Sequence, residues 1–259
     1  MCAPYDALPP VPPMAGAAVS HRRLVLEAED GNRFMAFAGL PEHPSGAGVV
    51  VLPDVRGLFR FYEELALRLA EQGHTAVAID YFGRTAGTSE RGEDFPFQEH
   101  VARTTPGQVR MDVAAAVAWL RSDEGGRVAD VFTLGFCFGG AFSWLQAAGG
   151  HDLAGAIGFY GRPDRAGRSD EPGARQRAGE LGAPILALMG GADAAIPQET
   201  VAAFDDALDR AGVEHEVVTY PGAPHSFFDR HHEEFAAASE DAWRRTLRFI
   251  DEHRSAARR

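Results

Sequence analysis

The chain has 259 residues, of which 45% are hydrophobic, and its formal net charge is −12 at pH 7. This length fits one large α/β domain with a substantial core, and this charge disfavours a nucleic-acid-binding surface. No apolar run reaches transmembrane length, and the N-terminus lacks the basic and apolar segments of a signal peptide. The two cysteines, Cys2 and Cys137, imply no disulfide framework, so we expect an acidic, soluble, cytoplasmic protein.

The beginning of the chain differs in composition from the rest. Residues 1–20 are rich in proline and alanine, which predicts an irregular arm along the surface. Over residues 21–259, strand-like and helix-like segments alternate without a repeat or a second change of composition. This alternation predicts a single α/β domain with a mostly parallel, doubly wound sheet and helices on both faces.

Hydrophobic periodicity and turn residues predict the elements along the chain. The domain opens with a hairpin around residues 30–32 (Asp-Gly-Asn). In chain order, the strands are predicted at residues 21–28, 33–38, 48–52, 74–80, 128–136, 153–160, 184–189 and 213–220. The helices are predicted at residues 59–72, 109–121, 141–148, 198–211 and 233–253. Residues 85–108 are long for a simple connection, and one interpretation is a flap over the crevice.

A glycine pattern surrounds Cys137 between one predicted strand and the next predicted helix. Gly135 and Gly139 lie two residues before and two residues after it. This pattern is typical of a nucleophile elbow, with Cys where Ser is more usual, because the strained turn leaves no room for flanking side chains. The N-terminus of the following helix points at the sulfur and favours thiolate. The alternative is a buried structural cysteine beside glycines that helix–strand packing requires.

Two downstream residues favour the elbow over a structural cysteine. Asp193 follows the predicted strand at 184–189, and His225 lies on a loop just past the last predicted strand. Nucleophile, acid and then histidine is the chain order of an α/β-hydrolase triad, and loops at the carboxyl ends of strands converge on one crevice. We therefore expect Cys137 to be the nucleophile, His225 the base and then the acid, and Asp193 the group that orients the imidazole.

Two backbone amides are candidates for an oxyanion hole. One belongs to Phe138, the residue after the nucleophile, and the other to Val55, in the loop after the predicted strand at 48–52. Attack on an ester would form an acyl thioester that water then cleaves. The same constellation acting on an amide would make a peptidase, but the elbow and the chain order favour an ester or a lactone.

Four segments resemble the dienelactone hydrolase family (carboxymethylenebutenolidases) of the α/β-hydrolase superfamily, and the resemblance extends over most of the chain from Gly48 onward. The segments are residues 135–140 (Gly-Phe-Cys-Phe-Gly-Gly), 158–161 (Gly-Phe-Tyr-Gly), 189–193 (Met-Gly-Gly-Ala-Asp) and 225–227 (His-Ser-Phe). The elbow cysteine is the specific part, since most relatives of the wider fold carry serine there. The resemblance implies cofactor-independent hydrolysis of an unsaturated lactone that carries a carboxylate, in the degradation of aromatic compounds.

The resemblance also implies roles for charged residues. Asp54 matches a carboxylate, usually Glu, that pairs with the resting thiol, and Arg84 matches one of two arginines that bind the substrate carboxylate. At the position of the second arginine this chain has Asp229, with Arg230 one place later. That departure indicates a different, larger or less charged substrate. Because the chain is acidic overall, any preference for an anion must come from local arginines. Arg84 can equally be a strand-end arginine, and Asp54 can cap a turn.

Aromatic residues near the sheet end are further candidates. Tyr160, Phe82 and Phe227 are expected to bind substrate by walling an apolar pocket, and the alternative is that they belong to the core. A metal site is not predicted. Adjacent residues on a helix, such as His231 and His232, do not share a face, and no cysteine or carboxylate stands at metal spacing.

Three functions remain open at this point. The first is a Cys-dependent hydrolase of a small lactone or ester, the second a general carboxylesterase, and the third a ligand-binding protein that retains the hydrolase fold with little turnover. The complete triad favours an enzyme, since a pure binder needs no nucleophile, base and acid together. We expect no nucleic-acid or membrane partner, and a monomer or a homodimer.

Overall fold

A computed structural model describes residues 5–167 and 170–255, and within them eight strands form a single sheet. The strands are β1 (Val19–Glu27), β2 (Arg33–Pro41), β3 (Ala47–Leu52), β4 (Thr75–Ile79), β5 (Asp130–Phe136), β6 (Gly155–Phe159), β7 (Ile185–Gly190) and β8 (His215–Tyr220). Their order across the sheet is β1-β2-β4-β3-β5-β6-β7-β8. Pairing is parallel from β4 to β8, so the predicted, mostly parallel sheet is confirmed.

The predicted hairpin forms the antiparallel edge of the sheet. Glu27 of β1 lies opposite Arg33 of β2, and the turn between them is closed by a 2.9 Å hydrogen bond from the Gly31 amide to the Ala28 carbonyl oxygen. Gly31 has a φ of 77°, a conformation that glycine adopts without steric cost. β2 then pairs antiparallel with β4, which joins the hairpin to the parallel part of the sheet.

Helices cover both faces of this sheet. They are α1 (Arg60–Glu71), α2 (Gly83–Ala86), α3 (Phe97–Val101), α4 (Pro106–Arg121), α5 (Phe138–Gln146), α6 (Gln198–Ala211) and α7 (Ala236–His253). Buried residues of α1 and α7 belong to one core, and those of α4, α5 and α6 belong to the other. The central strand β3 serves both cores, because successive side chains of a strand point to opposite faces: Val50 enters one core and Val51 the other.

Two helices begin earlier than the sequence pattern predicts. α4 begins at Pro106 because the Thr105 hydroxyl accepts a hydrogen bond from the Gln108 amide while the Gln108 side chain accepts one from the Thr105 amide. This capping box, with proline at the first helical position, is readable in the sequence. α5 begins directly after Cys137, since the elbow turns the chain within a single residue.

The described part of the N-terminal arm lies along α1. The ring of Tyr5 stacks on that of Phe59, with 5.1 Å between centroids, and the Met14 amide donates a 2.9 Å hydrogen bond to Glu71. Cys2 lies outside the described residues. None of the described helices is both long enough and apolar enough to cross a membrane.

The irregular segment 85–108 is attached to the body of the domain. Arg91 forms a 2.8 Å ion pair with Asp80, and both side chains are almost completely buried, at 4% and 1% exposure. Phe95 of the segment packs against Phe82 at 5.5 Å between ring centroids. The segment therefore contributes to the core next to β4 and is fixed there by a buried ion pair.

Candidate active site

Cys137 occupies a sharp turn between β5 and α5. Its φ is 55°, an unusual value for a residue other than glycine, and its amide donates a 3.0 Å hydrogen bond to the Phe159 carbonyl oxygen. A Cβ atom on Gly135 would lie 2.0 Å from the carbonyl oxygen of Gly139, and one on Gly139 would lie 2.1 Å from that of Leu52. Both flanking glycines are therefore sterically required, as the elbow pattern predicts.

The three predicted triad residues converge at the carboxyl ends of the strands. Asp193 follows β7, and its fully buried carboxylate accepts a 2.6 Å hydrogen bond from Nδ1 of His225, which follows β8. The second carboxylate oxygen accepts a 2.8 Å hydrogen bond from the Ala195 amide, which fixes its orientation. His225 and Cys137 line the same cavity, and interaction with the Cys137 thiol helps to raise the pKa of the imidazole.

The electrostatics of this trio favour a charged imidazole. Burial of the ring opposes its protonation, but hydrogen bonds to Asp193 and Cys137 outweigh burial and raise the pKa of His225 to about 10. At neutral pH the imidazolium therefore lies between a carboxylate and a sulfur atom.

A cavity of about 230 Å³ opens over Cys137 and His225. Val55 and Phe138, whose amides are the predicted oxyanion donors, both line it. Phe138 is the first residue of α5, so its N–H has no acceptor within its own helix. Both predicted donors thus belong to residues of the cavity wall.

Tyr160 is the predicted substrate-binding residue that does line the cavity. Its ring centroid lies 5.0 Å from that of His225, and its hydroxyl donates a 3.1 Å hydrogen bond to Asp229. Asp229 is buried and also accepts a hydrogen bond from the Arg230 amide. Burial, followed by the charge of Asp54, raises the pKa of Asp229 to about 6. Asp229 stands at the position where the resemblance places an arginine. There its buried carboxyl group holds the Tyr160 hydroxyl.

Phe82 and Phe227 correct the expectation that they bind substrate. Neither lines the Cys137 cavity, and both side chains are fully buried. Phe82 packs against Tyr81 and Phe95, and Phe227 packs against Tyr160. They are core residues, because the strand ends at which they lie are covered by other elements.

Arg84 also lies apart from the cavity. Its guanidinium donates to both carboxylate oxygens of Asp30, at 2.8 and 3.0 Å, and to Asp112 at 2.7 Å. The Asp112 side chain is only 1% exposed, and a buried carboxylate requires a cation or hydrogen-bond donors. Arg84 therefore ties the β1–β2 turn to α4, which corrects the expectation of a substrate contact.

Asp54 pairs with Arg56 and not with the Cys137 thiol, the partner that the resemblance implies. Its carboxylate accepts hydrogen bonds from Arg56, at 2.6 Å from Nη2 and 2.8 Å from the backbone amide. The Cys137 thiol, in contrast, interacts with His225. Asp54 caps its own turn because Arg56, two residues later, supplies both a guanidinium and a backbone amide. That turn carries Val55, so Asp54 fixes the loop that holds this predicted oxyanion donor.

The sequence reasoning missed two residues that line the cavity, Arg162 and Arg165. Both lie in the loop after β6, between the strands predicted at residues 153–160 and 184–189. The signal that could have found them is their position just past the carboxyl end of a parallel strand, where ligand-binding loops converge. No group of three His, Cys, Asp or Glu residues that could hold a metal is present in the part of the chain that the structure describes.

Comparison with known proteins agrees with this geometry. The model of the dienelactone hydrolase family matches residues 34–254. A carboxymethylenebutenolidase homologue from Escherichia coli K12 is 32% identical over 86% of this chain and 84% of its own length. The carboxymethylenebutenolidase of Rhodococcus opacus is 31% identical over 81% of this chain and 82% of its own.

Structural comparison leads to the same family. The crystal structure of a dienelactone hydrolase homologue from Klebsiella pneumoniae is 28% identical, with a TM-score of 0.79, and the match covers 91% of this chain and 99% of that one. Sequence, fold and strand-end geometry therefore agree. The chain belongs to the dienelactone hydrolase family, has the α/β-hydrolase fold and is a carboxylic ester hydrolase.

Proposed function

We propose that this protein hydrolyses a small lactone or ester through a Cys137–His225–Asp193 triad and an acyl-thioester intermediate. The observation that carries the proposal is the position of the His225 ring. It is hydrogen-bonded to Asp193, it lines the same cavity as Cys137, and interaction with the Cys137 thiol raises the pKa of the ring. Nucleophile, base and orienting acid are thus in mutual contact, as acyl transfer requires.

The first half-reaction acylates the cysteine. The Cys137 thiolate attacks the carbonyl carbon, a C–S bond forms, and the carbonyl electrons move to oxygen. The amides of Phe138 and Val55 then stabilise the oxyanion, and each such donor is worth about 2.7–4 kcal/mol of barrier. As the C=O bond re-forms, the C–O bond to the leaving group breaks, and His225 gives its proton to the leaving oxygen.

The second half-reaction releases the acid. His225, now neutral, takes a proton from a water molecule that attacks the thioester carbonyl. The tetrahedral intermediate collapses with cleavage of the C–S bond, which yields a carboxylic acid and restores the Cys137–His225 pair. Asp193 orients the imidazole and stabilises its charged form in both halves.

The cavity supports a small substrate. Its volume of about 230 Å³ lies below the usual range of roughly 300–1,000 Å³ for ligand pockets. Ala141, Ala195 and Ile196 make part of its wall apolar. A single unsaturated lactone ring or a short ester fits these features, and carboxymethylenebutenolidase is the activity for which the Rhodococcus relative is named. We extend the proposal to a cytoplasmic location and to a monomer or a homodimer. Sedimentation in reducing buffer tests the oligomeric state.

The test is hydrolysis of a dienelactone and of 4-nitrophenyl butyrate by wild type, Cys137→Ala and His225→Ala. We expect each substitution to lower kcat/KM for both substrates by about 10³-fold or more, because members of a triad act as a unit. Cys2→Ala removes the other cysteine of the chain and is the matched control, with unchanged rates. Intact mass after rapid quenching should show an acyl adduct that Cys137→Ala lacks.

Each other outcome has a definite meaning. Activity that survives in Cys137→Ala contradicts the nucleophile assignment. A wild type that cleaves the simple ester but not the lactone indicates a general carboxylesterase. A wild type that cleaves neither, while a lactone protects Cys137 from alkylation, indicates a ligand-binding protein.

A further inference from the structure

Two arginines from one loop lie on the wall of the Cys137 cavity. Arg162 and Arg165, from the loop after β6, line the cavity together with His225, and no Asp or Glu residue of the described chain lines it. This contrasts with a protein whose formal net charge is −12. A cleft with one sign of charge raises the local concentration of an oppositely charged substrate.

Arg162 forms a fixed part of that wall. Its Nε and Nη2 donate to the two carboxylate oxygens of Asp164, at 2.7 and 3.2 Å, and its Nη1 donates to the Ala195 carbonyl oxygen at 3.2 Å. The last contact joins the loop after β6 to the loop that carries Asp193. Arg162 is therefore held in place, and Asp164 balances most of its charge.

Arg165 differs from Arg162 in having no counter-ion among the described residues. Its side chain is exposed, and within the described residues no carboxylate lies within 4.0 Å of its guanidinium. Its backbone is nevertheless held, because it forms a β-bridge with Pro172. Gly173 also packs closely against it: a Cβ atom on Gly173 would lie 2.4 Å from the backbone nitrogen of Arg165. A well-placed backbone thus presents an unneutralised guanidinium at the mouth of the cavity.

The two positions that the family resemblance assigns to anion binding do not serve this cavity. Arg84 is neutralised by Asp30 and Asp112, and the second position holds the buried Asp229. Among the described residues, the arginines that line this cavity belong instead to the loop after β6.

We propose that Arg165, with Arg162 behind it, is the anion-binding subsite of this hydrolase and takes a carboxylate on the acyl part of a small ester or lactone. This inference rests on the proposed function. A guanidinium can donate two parallel hydrogen bonds to a carboxylate, which gives both orientation and charge complementarity. The exposure of Arg165 makes this preference weaken as salt is added.

The test compares two esters of similar length, mono(4-nitrophenyl) glutarate and 4-nitrophenyl valerate. The measured quantity is the ratio of their kcat/KM values, anionic over neutral. We expect wild type to prefer the anionic ester, high salt to reduce that preference, and Arg165→Gln to lower the ratio about tenfold. Arg165→Lys should recover part of it, because lysine keeps the charge but not the forked geometry.

Arg177→Gln is the matched control. Arg177 belongs to the same loop but pairs with Glu180 and does not line the cavity, so the ratio should not change. A thermal unfolding curve of Arg165→Gln that coincides with that of wild type shows that the fold is intact.

Two results overturn the subsite and leave the hydrolase assignment untouched. In the first, wild type shows no preference for the anionic ester. In the second, Arg165→Gln changes the anionic-to-neutral ratio by less than about twofold. In both, Cys137→Ala is inactive. If both esters are still cleaved by Cys137→Ala, the proposed function itself fails, and the two failures are thereby distinguished.

Discussion

Two loops at the carboxyl ends of parallel strands contain arginines, and the arginines of the two loops have different roles. The loop after β4 carries Arg84 and Arg91, whose guanidinium groups pair with Asp112 and Asp80, carboxylates that are each 1% exposed. The loop after β6 carries Arg165, which has no such carboxylate among the described residues and lines the Cys137 cavity.

The difference follows from the cost of burying a charge. A carboxylate removed from water must be paired, so it captures the nearest guanidinium and makes it a structural group. An arginine whose surroundings supply no buried carboxylate keeps its hydrogen-bonding capacity for a ligand. The first loop is therefore expected to contribute to stability, and the second to substrate preference.

Arg91→Gln should have the largest effect on stability. It leaves the buried Asp80 carboxylate without its cation, so we expect the free energy of unfolding to fall by about 3–5 kcal/mol. Urea unfolding measures this value. Arg103→Gln, which replaces an exposed arginine of the same segment, is the control. A loss below about 1 kcal/mol would mean that the ion pair does not hold the segment.

Asp112→Asn should remove part of the pH dependence of the free energy of unfolding. Burial raises the pKa of Asp112 to about 6, although hydrogen bonds from Arg84 and Asn32 oppose the shift. The folded state then binds the proton more tightly than the unfolded state, whose value is about 3.9, so wild type loses stability as pH rises from about 4 to 6. Asparagine does not titrate. The stability of Asp112→Asn relative to wild type should therefore increase over that range, by at most about 3 kcal/mol.

Denaturant unfolding of both proteins across that pH range checks this expectation. If the difference instead decreases as pH rises, the Arg84–Asp112 attraction outweighs the burial of the carboxyl group. The Asp112 carboxylate would then be a net source of stability.

Arg84→Gln should have a smaller effect, a loss of about 2 kcal/mol in the free energy of unfolding. Asn32 still donates a 3.0 Å hydrogen bond to Asp112, and Asp30 is exposed enough to be solvated. The anionic-to-neutral ratio of kcat/KM should stay at the wild-type value. Arg165→Gln should do the opposite, with a change below about 0.5 kcal/mol in stability and a lower ratio. If Arg84→Gln lowers the ratio instead, the contrast between the two loops is wrong.

Much of the fold and of the triad could be predicted because the signals are local. The strand-to-helix turn at Cys137 needs glycines at fixed offsets, and the hairpin needs a turn sequence such as Asp-Gly-Asn. Asp193 and His225 each follow a strand directly, so the parallel sheet itself brings them together. The early start of α4 was also readable in the sequence, from Thr105 and Gln108.

The sequence by itself thus determined the fold class and the family, and it suggested the chain order of the candidate triad, since each depends on residue type and short-range spacing. Only the tertiary structure decided which charged side chains face the cavity. The partners that neutralise Arg84 lie 54 and 28 residues away in the chain, and no local pattern announces them. The fate of an arginine at a strand end depends on which carboxylates the fold buries beside it, and that is settled by long-range packing.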